Sequence, residues 1–268
     1  MTTNFKGDTM TSTFIIEGIS AVSAVINNIL NSYSNSQRRL TDVYFDMSKI
    51  SKYDKTNYAR YRFLEKNAEK CGYVFHESTP EEISQIVSGT THGGIAARVS
   101  SFETEALSDE EVKNDSFYCY LDGVDDPFNL GYIIRTMYAF GASGIIMPEN
   151  NKMNLFPATV MKSSAGLTEH IDMFTASPEV LCEIFAKKGY KIVCTSLRDS
   201  IPCREADMTY PILLVIGGEK RGISRNILSK ADFNVRIDYS VPFNGSLPSV
   251  CAASVIGYEV SSQNHQES

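Results

Sequence analysis

Between Gly18 and Leu30 the apolar residues Ile19, Val22, Ile26 and Ile29 fall on one stripe, the period of an amphipathic helix. Shorter apolar runs at Val43–Phe45 and Tyr73–Phe75 predict strands, and a helix is predicted over 58–70 between them. Ser78-Thr79-Pro80-Glu81-Glu82 reads as a helix start, with a hydroxyl cap, proline in the first turn and acids at the positive dipole end. His92-Gly93-Gly94 then turns into a strand ending at Val99. Residues 14–99 thus predict a small α/β module of ordinary domain size. The Thr- and Asn-rich residues 1–13 predict a disordered lead-in. Residues 100–115 carry six acids and no sustained apolar period, which predicts a linker.

From residue 116 the pattern alternates. Strands are predicted at 117–121, 144–147, 190–195, 212–216 and 234–237, and helices at 130–140, 156–165, 178–188, 223–230 and 247–260. Such alternation implies an α/β domain over 116–262 with a parallel sheet covered on both faces, followed by a short tail, 263–268. Ligands of such sheets bind at the carboxyl ends of the strands, where glycines and polar residues cluster here.

Composition narrows the classes. With 268 residues and 43% hydrophobic positions the chain has material for two globular units. No apolar run approaches bilayer length, and Thr13 to Ile19 is too short and too polar at its flanks for a secretory signal, so a cytoplasmic location is expected. The six cysteines are scattered without C-x-x-C or zinc spacing, so no metal is expected and reduced core thiols are the simpler reading. A net charge of −7 argues against nonspecific coating of nucleic acid. Yet nine basic residues stand against five acidic ones from Asn35 to Lys70, interleaved with Tyr44, Tyr53, Tyr58 and Tyr61. That stretch is either an RNA-contacting face, through phosphate contacts and base stacking, or a solvated helical face with half-buried tyrosines.

Three motifs carry the chemistry. Leu121-Asp-Gly-Val-Asp-Asp-Pro-Phe-Asn129-Leu-Gly131-Tyr-Ile-Ile-Arg135 sets an amide, a glycine and a guanidinium where a strand hands over to a helix. Asn129 is expected near the N-cap, with Arg135 pointing back toward the same mouth. The apolar strand Ile212–Ile216 ends in Gly217-Gly218-Glu219-Lys220-Arg221-Gly222, and glycines there would let a ligand approach the backbone. It is neither a phosphate loop nor a dinucleotide fingerprint. The third is Ser246-Leu247-Pro248-Ser249-Val250-Cys251-Ala252-Ala253, at the start of a closing helix.

In this order the motifs resemble the SpoU (TrmH-like) family of RNA ribose 2′-O-methyltransferases. Lys162-Ser163-Ser164-Ala165-Gly166, Gly18-x-x-Ala21-Val22 and His92-Gly93-Gly94-Ile95 extend the likeness over residues 14–260. The resemblance implies a carboxyl-terminal segment threaded as a deep trefoil knot, an exception to the usual rule. It implies S-adenosylmethionine bound in the knot, an RNA substrate and a homodimer paired through the catalytic domain. Gly217, Ile237 and Leu247, with Thr195 and Gly218, are then expected to contact the cofactor. Asn129, Arg135, Glu219 and Ser246 are expected around the reaction, with Arg135 touching an RNA phosphate and helping to activate the hydroxyl. Being permanently protonated, that arginine would stabilise developing negative charge rather than act as a free base.

The third motif departs from the family's Ser-Leu-Asn-Val-Ser, with Pro248 replacing an amide side chain, and Lys220 stands where the family usually has glycine. One residue appears inserted between Ile237 and Ser246. The expected activity is 2′-O-methylation of a structured RNA, ribosomal RNA before transfer RNA. A non-catalytic knotted protein that binds RNA or cofactor, or a base-nitrogen methyltransferase, are the alternatives.

Overall fold

A computed structural model describes residues 12–265 apart from 52, 102, 103, 152 and 154–156. Most of the expected disordered lead-in, residues 1–11, therefore lies outside the described residues, as do residues 266–268 of the tail and Lys52 of the basic stretch.

The first sheet contains β1 (Thr13–Glu17), β2 (Leu40–Asp46), β3 (Val74–Ser78) and β4 (Ile95–Ser100), in the order β1-β4-β2-β3. β4 runs antiparallel to both β1 and β2, whereas β2 and β3 are parallel. The helices α1 (Ile19–Asn31), α2 (Lys55–Cys71) and α3 (Pro80–Ile86) accompany it. Val22, Val25 and Ile26 of α1 are buried with Val43, Phe45, Ile95, Val99 and Leu64 in one core. The hydroxyl cap expected at α3 is a full capping box: Glu82 N donates to Thr79 Oγ1 at 3.3 Å, and Thr79 N to Glu82 Oε2 at 2.9 Å.

The second sheet has eight strands, β5 (Glu105–Ala106), β6 (Phe117–Asp122), β7 (Gly144–Met147), β8 (Asp172–Thr175), β9 (Lys191–Thr195), β10 (Ser200–Pro202), β11 (Ile212–Gly217) and β12 (Phe233–Arg236). Their order is β10-β12-β9-β11-β6-β7-β8-β5, and every pairing is parallel. The helices are α4 (Pro127–Ala139), α5 (Pro157–Ser163), α6 (Pro178–Lys187), α7 (Arg225–Leu228) and α8 (Ser249–Asn264). Strand alternation feeds two cores. Phe117, Cys119, Leu214 and Ile216 meet α4 and α8 through Ile133, Met137, Ala253 and Ile256. Tyr118, Tyr120, Leu213 and Val215 meet α6 through Leu181 and Phe185 on the other face. An α/β architecture with a parallel sheet covered on both sides is what the alternation predicted.

Several elements were not visible in the pattern. β1, β5, β8 and β10 have two to five residues each, too few to show a period of their own. Within the acidic stretch expected to be a linker, Glu105 and Ala106 pair with Phe174 and Thr175, and Leu107 and Val112 are buried against the second sheet.

The two sheets are joined by polar groups. Asn35 Oδ1 accepts from Met173 N at 3.0 Å while its Nδ2 donates to Met173 O at 3.0 Å, so the side chain imitates a strand beside β8. Arg38 and Glu169, both buried, form an ion pair at 2.7 Å, and Ser36 Oγ donates to the same carboxylate at 2.7 Å. Arg38 is therefore withdrawn from the basic face expected of residues 35–70. Four of the six free cysteines (Cys119, Cys182, Cys194, Cys203) are buried, and burial pushes the Cys194 thiol up to about 12. Cys251 is exposed.

Candidate active site

The carboxyl ends of β9, β11 and β12, neighbours in the sheet, open into one cavity of about 560 Å³. Its walls bring together Thr195, Gly217, Gly218, Glu219, Ile237, Ser246 and Leu247, seven of the nine residues singled out in the sequence. The apolar floor is Ile216, Val235, Ala252 and Ile256.

Local chemistry fixes the loop after β11. Gly218 N donates to Asp122 O at 2.8 Å, continuing the β6–β11 ladder one step past the strand. Gly222 N returns to Gly218 O at 2.9 Å, closing a tight turn, and Ser224 N donates to Asp122 Oδ2 at 2.7 Å. The two glycines are required by chain rather than by ligand. A Cβ on Gly218 would lie 1.9 Å from Gly123 O, and one on Gly217 2.8 Å from the backbone of Gly222 and Ile223. Both glycines also line the cavity.

Asn129 and Arg135 are not in the cavity wall. The N-cap of α4 is Asp126, whose carboxylate accepts from Asn129 N at 2.9 Å, so Asn129 sits inside the first turn and is not the cap. Its side chain reaches across instead, Nδ2 donating to Glu219 Oε1 at 3.1 Å, and so ties the first motif to the second. Arg135 is exposed on α4, one stripe with the exposed Phe128 and Tyr132 at helical spacing, and forms no ion pair with a described residue.

The third motif enters from the other side. Pro248 is the N-cap of α8, a position where its missing N–H costs nothing, and Leu247 N donates to Tyr239 Oη at 3.3 Å. Ser249, 6% exposed, lines the cavity, and its Oγ finds no partner among the described residues. The motif reading missed Arg198, Arg221, Arg225, Arg236 and Tyr239, which complete the wall. Arg221 and Arg225 stand within or just after the second motif. Nothing local marked Arg198, which reaches the site only because β9 lies beside β11.

A cavity of this volume is in the range of small-molecule sites. Its apolar floor, polar mouth and one unsatisfied hydroxyl fit a ligand that is part aromatic and part charged. Among the described residues, no helix is long and apolar enough to cross a membrane.

A parallel sheet with its site at the carboxyl ends of central strands defines an α/β protein that binds a small molecule. The SpoU rRNA methylase family model matches residues 116–258, and the chain belongs to that family. YacO of Bacillus subtilis, a TrmH family tRNA/rRNA methyltransferase by name, is 33% identical over 72% of this chain and 79% of its own. An AdoMet-bound rRNA methyltransferase from Sinorhizobium meliloti has the same fold, with a TM-score of 0.73 at 22% identity over 92% of this chain and 86% of that one. An RNA 2′-O ribose methyltransferase structure superposes equally well, TM-score 0.73 at 18% identity, over 94% and 89% of the two chains.

Proposed function

We propose that this chain transfers a methyl group from S-adenosylmethionine to a ribose 2′-hydroxyl of a structured RNA, ribosomal before transfer RNA. The observation that carries the reading is the convergence of the second and third motifs, far apart in sequence, on one cavity at the ends of β9, β11 and β12, with the first motif tied to it through the Asn129–Glu219 hydrogen bond. Family membership supplies the reaction class, and the names of the Sinorhizobium and 2′-O ribose neighbours support the cofactor and the hydroxyl acceptor.

Thr195, Gly217, Gly218, Ile237 and Leu247 would hold the cofactor, which supplies an electrophilic sulfonium methyl. A ribose hydroxyl is a poor nucleophile, so the protein's task is to orient it and stabilise the charge it develops. Glu219, held by Asn129, and Ser246 would order the mouth. Arg135 would contact the RNA phosphate. Two chains paired through the second sheet's helices would complete the site. The exposed Phe128 and Tyr132 of α4 and Val255 and Tyr258 of α8 supply an apolar face for pairing. Residues 14–99 would serve as the RNA-binding module and 116–262 as the catalytic domain, its carboxyl-terminal segment threaded as a trefoil knot. A cytoplasmic location agrees with RNA as substrate.

The test is incorporation of labelled methyl from S-adenosylmethionine into bacterial RNA lacking the modification, with alkali-resistant product at one phosphodiester. A methylated 2′-oxygen cannot attack the adjacent phosphate, so an alkali-labile product would transfer the reading to a base nitrogen. Cofactor binding without any methylated product would make the chain a binding protein.

A further inference from the structure

The cavity mouth carries a charge opposite to that of the chain. The protein has a net charge of −7, yet the cavity walls hold four arginines and a single carboxylate, Glu219. One of the four is committed: Arg236 Nε lies 2.9 Å from Asp238 Oδ1, and its Nη1 donates to Ser200 O. The other three, Arg198, Arg221 and Arg225, are exposed and form no ion pair with a described residue. Arg198 stands in the loop after β9, Arg221 in the loop after β11 and Arg225 at the start of α7 beyond it, and the pairing of those strands puts the two segments side by side. Glu219 Oε1 accepts from Asn129, and its carboxylate forms no ion pair with the three among the described residues.

Among the described residues of the basic stretch at 35–70, two cations are held in ion pairs. Arg38 is buried against Glu169, Arg62 pairs with Glu65, and Arg60 donates to Asn57. Three uncommitted guanidiniums around a cavity in an acidic protein make a local anion-attracting field. Each is a rigid fork of donors suited to phosphate oxygens.

We propose that Arg198, Arg221 and Arg225 form a phosphate-binding rim that seats the RNA backbone across the mouth of the cavity. The inference rests on RNA being the substrate and names the residues that grip it. The rim adds affinity and register without reading sequence, as phosphate contacts do. It would hold the nucleotides flanking the modified one, while the cavity below keeps the cofactor.

Counterion release makes this measurable, since each neutralised phosphate contributes about 0.7 to the slope of log K against log salt on single strands. The experiment uses the full chain with Arg198→Gln, Arg221→Gln and Arg225→Gln, singly and together. Binding to an oligouridylate and to an unmodified tRNA transcript is measured as a function of KCl, and S-adenosylmethionine binding by calorimetry. The triple variant should lower the slope by about 2 on oligouridylate, and each single change should weaken binding about fivefold at 0.1 M KCl. Cofactor affinity should fall less than RNA affinity.

Lys187→Gln is the control, because that exposed lysine is already paired with Asp109. An equal slope change in the control would mean that net charge alone is responsible and would overturn the rim. So would unchanged RNA binding in the triple variant. Loss of cofactor affinity in place of RNA affinity would reassign the arginines to the carboxylate of S-adenosylmethionine. If the unaltered protein binds cofactor but no RNA at any salt, the proposed function fails along with the rim.

Discussion

Replacing Glu169 by Gln should destabilise the protein by about 3–5 kcal/mol, the cost of removing one partner of a buried ion pair. Glu169 is 0% exposed and Arg38 4% exposed, and the two side chains meet at 2.7 Å. Burial pulls the Arg38 guanidinium below its usual range, and the Glu169 carboxylate pushes it back up by charge and hydrogen bond. Glutamine keeps the shape and removes the push. The same substitution turns an amide donor toward donors, because Ser36 Oγ and Thr168 Oγ1 both donate to the carboxylate. A loss of that size is a large part of a typical total stability of about 5–15 kcal/mol.

Urea unfolding followed by far-UV circular dichroism suits a chain that contains no tryptophan. The double substitution Arg38→Met with Glu169→Leu should recover most of the loss, since apolar replacement of a whole buried pair is often neutral or stabilising. A loss below about 1 kcal/mol for Glu169→Gln, the value of a surface pair, would refute the reasoning.

Three further outcomes are expected. Gly218→Ala forces a Cβ to within 1.9 Å of Gly123 O, so the loop after β11 must move. Calorimetry should then find cofactor binding lost with far-UV dichroism retained, and wild-type affinity would refute the close contact. The Asp207 carboxyl is held down to about 2, first by the Thr209 hydroxyl and then by Lys191. Its contribution is therefore present above the ordinary aspartate range and lost as pH falls from about 4 toward 2, and its exposure keeps it below about 1 kcal/mol. Carboxyl NMR titration should find that low midpoint, and a Thr209→Val variant should raise it. In the native protein a thiol reagent should label Cys251 well before Cys119 or Cys194, and mass mapping of a first adduct on either buried thiol would contradict their burial.

How much of this was legible follows from where the information lies. Long, periodic or capped segments announced themselves: α1 through its stripe, α3 through Thr79 and Glu82, β6 and β11 through unbroken apolar runs. β8, four residues with two buried, is a strand only because β7 and β5 flank it. The burial of Arg38 depends on a carboxylate 131 positions away, and no local window contains both. In the site, the glycine turn after β11 was readable from the pattern, whereas Glu219 was expected only from the family resemblance. Helical periodicity gives the face that Arg135 occupies but not what that face looks at. Asn129 was expected near the cap of α4 and sits in its first turn, with Asp126 as the cap.

The two outermost strands of the eight-stranded sheet, β5 and β10, have only two and three residues. Stubs this short offer almost no row of open amide and carbonyl groups for a foreign strand to zip onto. Lateral growth of the sheet from one molecule into the next is therefore closed off at both borders. The exposed rings of Phe128, Tyr132 and Tyr258 stand instead on the helices that flank that sheet.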